Sequence, residues 1–154
     1  MVRHATRSGR ADTGMTVWFD RLREAHATLV EAIEQLARLT SGPLPDRQVL
    51  IDVRWAVSQS SLARRLLWSQ IHTFLARRVA ARFEQDFRHL QKVDFTLIRA
   101  SAKHVGTWTI DAITKDWEGY CQASQLMRSQ MLEAIAGEKR LLYPILESLV
   151  TDDS

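Results

Sequence analysis

At 154 residues, with 45% apolar and 25% charged side chains, the chain has the size and composition of one globular domain, able to bury about two thirds of its unfolded surface without staples. A single cysteine, Cys121, excludes an internal disulfide framework and fits a reducing compartment. No apolar run reaches the roughly 18 residues of a membrane span or forms a signal-peptide core, so a cytoplasmic protein with no membrane partner is expected.

The net charge of +3 is modest, and much of the basic excess lies in the first ten residues, Met1 to Arg10. That segment lacks apolar periodicity, so residues 1–14 are expected to be a disordered basic tail and residues 15–150 a single domain. A nucleic-acid partner needs a basic face on a folded element. Arg77, Arg78, Arg82 and Arg88 are the one candidate, and a solvated helix face accounts for them more simply.

A first helix is expected from Met15 or Thr16, where Thr16 can cap, to about Leu39. Phe19, Leu22, His26, Leu29, Ile33 and Leu36 share one face at helical spacing, with Glu24, Glu31, Glu34 and Arg38 away from it. Thr40-Ser-Gly-Pro-Leu-Pro45 stops this helix, because two prolines prevent continuation. Asp46 caps a second helix, whose buried side is expected to carry Val49, Val53, Val57 or Ala56, Leu62, Leu66 and Ile71. No glycine or proline occurs between Pro45 and Val105, so the next turn has no local punctuation and is placed at Ala76 to Ala81. A third helix then covers Arg82 to His104, and Val105-Gly106-Thr107 breaks it. Thr114 or Asp111 caps a fourth, long helix through Leu149, and the last residues fray. Four amphipathic helices, short loops and no strand pattern predict an all-α, antiparallel up-and-down four-helix bundle.

In the last helix Leu132, Ile135, Leu142 and Leu146 form a core stripe, with Pro144 inside it. The segment Glu138-Lys139-Arg140-Leu141-Leu142-Tyr143-Pro144, a glutamate and then two apolar residues, Tyr and Pro, resembles the ending of the metal-binding helices in hemerythrin-like domains, the bacterial HHE cation-binding family. Leu22-x-x-Ala-His26-x-x-Leu29-x-x-x-Ile33 is similar to that family's first motif. Ala63-Arg64-Arg65-Leu66-Leu67-Trp68 also echoes Glu138 to Tyr143, as a duplicated two-helix unit would.

The resemblance implies an iron-binding His-x-x-x-Glu pair on each such helix. Ala134 stands in the histidine slot and Glu138 in the glutamate slot of the fourth helix; Gln59 and Ala63 take these slots in the second. It therefore implies a bundle with a degraded di-iron site. Its metal residues are His26 and Glu138, as remnants or candidate ligands, with His89, His104 and Glu84 as weaker candidates. A di-metal bundle needs inward ligands from all four helices at one depth, and His26 and Gln59 each lie about 14 residues from the first loop. Glu138 cannot be buried alone. His26 is thus expected to pair with it directly, or through Gln59 or one water, as a structural contact.

His72 reads as surface or interhelix filler, and Trp55, Trp68, Trp108 and Trp117 as core packing. Trp108 and Trp117, beside the Gly106 break, would form an interaction patch if exposed. There is no glycine-rich phosphate loop, and Cys121 has no histidine at a readable spacing. The reading is a non-enzymatic binding or regulatory module with no cofactor, its partner an unknown protein, a small molecule or a second copy of the chain. The alternative is an oxygen- or iron-binding hemerythrin-like protein with non-standard ligands.

Overall fold

The computed structural model describes residues 8–151, with side chains from 16 to 150. Among these residues every regular element is helical. In chain order they are α1 (Ser8–Thr40), α2 (Arg47–Leu75), a 3-10 turn (Ala81–Phe83), α3 (Glu84–Thr107), α4 (Ile110–Lys115), α5 (Trp117–Gly137), a π-helical turn (Glu138–Leu142) and α6 (Tyr143–Thr151). No helix among the described residues is long and apolar enough to cross a membrane. Helix α1 begins at Ser8, upstream of the expected cap; residues 1–7 of the expected tail lie outside the described residues.

Helix α1 packs against α2, α5 and α6, while α3 packs against α5 and the π turn. The expected face of α1 is the buried one: Phe19, Leu22, His26, Leu29, Ile33 and Leu36 all point inward. The face of α2 needs correction. Val57 and Ile71 are buried as expected, but Val49, Leu62 and Leu66 are exposed, Leu66 at 58%, and Leu50, Arg64, Trp68 and Leu75 are buried beside them. Leu50, Val57, Arg64 and Ile71 recur every seven residues, two helical turns apart. An arginine stands at one of those inward positions, so a search for apolar residues selects the neighbouring stripe.

The core has three parts along the helices. One end is filled by side chains such as Leu22, Trp68, Ile71, Phe87, Leu142 and Leu146. The middle holds Leu29, Ile33, Leu97, Met127 and Ile135, among others. The far end is built on Leu50, Ile113 and Tyr120. Full burial of each large side chain stabilises by about 1.5–3 kcal/mol.

The turn between α2 and α3 falls at residues 76–80, where it was expected. The single fourth helix does not exist as such. Thr109 caps α4 by accepting from the Ala112 N–H at 3.2 Å, and Asp116 caps α5 by accepting from the Gly119 N–H at 2.9 Å. Thr114 and Asp111, the expected caps, lie inside α4. Further on, the Tyr143 N–H bonds to the Glu138 carbonyl five residues back, which widens the helix just before Pro144. Proline lacks an N–H and its ring clashes with the carbonyl four residues earlier. The wide turn accommodates that defect, and such turns often sit where a helix presents functional side chains.

Candidate functional site

Glu138 opens the π turn and is 3% exposed, so its carboxylate needs donors. Two helices supply them. From α1, His26 Nε2 bonds to Glu138 Oε2. From α2, Arg64 reaches both oxygens: Nη2 bonds to Oε1, and Nε donates to Oε2 at 3.3 Å. The same Nη2 also donates to Asp94 Oδ1 of α3 at 3.3 Å. Tyr143, the first residue of α6, lies with its hydroxyl 2.7 Å from His26 Nδ1. With His26 Nε2–H donating to the carboxylate, Nδ1 accepts from the Tyr143 O–H, which fixes the tautomer.

His26 and Arg64 are as buried as Glu138. Burial pushes the Glu138 carboxyl pKa up, but the His26 hydrogen bond and the Arg64 charge and hydrogen bond more than offset it, holding the group below the ordinary carboxylate value. Asp94 is shifted the other way. Its desolvation and the neighbouring Glu138 charge outweigh the attraction of Arg64 and raise its pKa. Tyr143 is also raised, chiefly by burial.

The candidates from sequence are distributed as follows. His26 and Glu138 are brought together directly. Gln59 and Ala63 face outward and take no part in the contact. Glu84 and His89 are exposed, and Glu84 pairs with Arg88 at 2.6 Å. His104 lies toward the far end, stacked on Tyr120 with ring centroids 6.0 Å apart; burial and then the Arg54 charge lower its pKa. His72 stacks on Phe87 and contacts Gln91.

Trp68 is a core residue, but Trp55 is 64% exposed, because it belongs to the outward stripe of α2. Trp108 and Trp117 are half-buried, each with its ring 5.8 Å from Tyr120, and Trp117 Nε1 donates to the Gly42 carbonyl at 3.1 Å. Arg77, Arg78, Arg82 and Arg88 are all exposed. Arg78 covers the Phe74 ring at 4.0 Å and Arg82 the Phe83 ring at 4.8 Å.

Sequence reasoning missed Arg64 and Asp94. The signal for Arg64 was the seven-residue step of α2, which puts its charge at a core position.

These residues do not fit a di-iron centre. Both Glu138 oxygens are engaged by His26 and Arg64, both His26 nitrogens face partners, and the guanidinium stands between the two carboxylates. Among the described residues no three His, Cys, Asp or Glu side chains converge in a way that could hold a metal ion. What the arrangement does chemically is satisfy a buried anion from several helices at once, since each charged hydrogen bond replaces hydration lost on folding. No protein-family model, curated protein or solved structure matches the chain.

Proposed function

We propose that the chain is a hemerythrin-like four-helix bundle in which the Arg64 guanidinium replaces the charge of the metal, and that it acts as a non-enzymatic binding or regulatory module in the cytoplasm. The observation that carries this reading is the convergence of His26, Arg64, Asp94 and Glu138 from four segments on one contact network. A metal centre in a bundle draws one or two ligands from each helix at one depth. Here the same inward geometry carries a fixed organic cation. The segment from Glu138 to Pro144 adds Tyr143 to the network and Pro144 to the wide turn behind it.

Purified protein from iron-replete culture tests the reading by metal analysis and visible absorption. The expected result is no stoichiometric iron and no oxo-bridge band. Two irons per chain, with loss of the metal on Glu138→Gln, would overturn it in favour of an iron-binding protein with non-standard ligands.

A further inference from the structure

Helices α2 and α3 are linked by the Arg64–Asp94 contact. At the far end Arg54 of α2 spans the opening, donating from Nη2 to the Trp108 carbonyl at 2.8 Å. Between these two crossings lies a groove of about 360 Å³, floored by α5, within the range of small-molecule sites.

Its lining has two characters. Leu36, Val57, Leu62, Met127 and Met131 supply an apolar floor and wall, and the methionines give it an adaptable shape. Arg54, Arg65 and Arg128 bring three cations, with Ser58, Ser61 and Ser101 hydroxyls beside them, and no Asp or Glu lines the groove. Among the described residues Arg128 donates to neutral oxygens, Ser124 Oγ at 3.3 Å and Thr40 Oγ1 at 3.1 Å. Arg65 forms no hydrogen bond or ion pair among the described residues, although Asp94 feels its charge. Guanidinium groups without a hydrogen-bonded carboxylate, set beside an apolar wall, attract an anion that also carries hydrocarbon, because a fork of N–H donors pairs with carboxylate or phosphate oxygens.

We propose that this groove binds a small amphipathic organic anion, a carboxylate or phosphate monoester with a medium-length apolar chain, headgroup toward Arg65 and chain along Val57, Leu62 and Met131. The site is separate from the Arg64 cluster and does not depend on the hemerythrin-like reading.

Calorimetric titration of the full chain with octanoate and with octyl phosphate tests it, the two arms separating a carboxylate from a phosphate headgroup. Octanol and octylammonium serve as uncharged and cationic counterparts. At least one anion is expected to bind saturably at one per chain, with octanol and octylammonium weaker by about tenfold or more, the worth of one charged hydrogen-bonded contact. Arg65→Glu is expected to weaken the anion by about tenfold or more at an unchanged melting temperature, while Arg77→Glu, the same charge change outside the groove, leaves it intact. Equal binding of octanol, equal losses in the two variants, or no saturable binding of either anion would each overturn the proposal.

Discussion

Arg64 and Arg65 are adjacent in sequence, and the two regions they serve treat positive charge in opposite ways. Arg64 points into the protein, where it is held by Glu138 and Asp94, and Glu138 in turn by His26. Arg65 points into the α2–α3 groove, where among the described residues no Asp or Glu lines the wall and the hydrogen bonds of Arg54 and Arg128 go to a carbonyl and to hydroxyls. The contrast follows from solvation. A charge that loses its water must find an opposite charge on folding, whereas one that keeps water can stay uncompensated until a ligand arrives. The first region therefore bears on stability and the second on recognition.

The largest expected effect breaks the first half of that contrast. Arg64→Met leaves two carboxylates without their cation and should destabilise by about 3–5 kcal/mol in denaturant unfolding. Adding Glu138→Leu and Asp94→Asn to the same chain should restore most of the loss, since no buried charge then remains unpaired. A triple variant as weak as the single one would mean that Arg64 acts through packing alone.

His26→Ala comes next, at about 1–3 kcal/mol, because Glu138 Oε2 loses one of its two donors while Arg64 still reaches both oxygens. Tyr143→Phe should cost less, about 0.5–1.5 kcal/mol, the net worth of one hydrogen bond. Reversed ranks would relocate the centre of the network to Tyr143.

Acid unfolding sharpens the comparison further. Glu138 is depressed in the folded protein, so its contribution is present above the carboxylate pKa of the unfolded chain and is lost as pH falls through the lower folded value. Asp94, raised in the folded state, has the opposite sign: protonation on the way down favours the native form. Glu138→Gln should therefore flatten the acid limb of the stability curve, and Asp94→Asn should steepen it. Parallel acid limbs for the parent and Glu138→Gln would contradict the pairing. The smallest change in stability belongs to Arg65→Glu, whose melting temperature should match the parent while anion binding falls.

Legibility in the sequence tracked how closely each segment obeys the apolar pattern. In α1 a histidine is the only polar residue on the stripe, so the whole face could be read, His26 included. Glu138 stood out through its spacing before Tyr143 and Pro144. The face of α2 was read only in part, at Val57 and Ile71, because Arg64 and the exposed Leu62 and Leu66 exchange the roles that burial statistics assign them. Asp94 had no signal of its own, since a single acid on a charged helix looks like solvated surface. The breaks at Thr109 and Asp116 are side-chain caps without proline or glycine at the cap itself, and a continuous helix was the simpler reading.

The wide turn at 138–142 bears on which insertions and deletions the chain can tolerate. A π turn holds one residue more than the α-helical turn it replaces, so removing Lys139 or Arg140, both exposed, would return the segment to α geometry while α5 and α6 keep their mutual register. Elsewhere in a helix one deletion rotates everything downstream by about 100° and would turn Leu142, Ile145 and Leu146 away from the core. Pro144 removes this tolerance, because a narrowed turn brings its ring against the carbonyl four residues before it. Shortening the turn should thus be survivable only together with Pro144→Ala, so that residue number in this segment and the proline can change only as a pair.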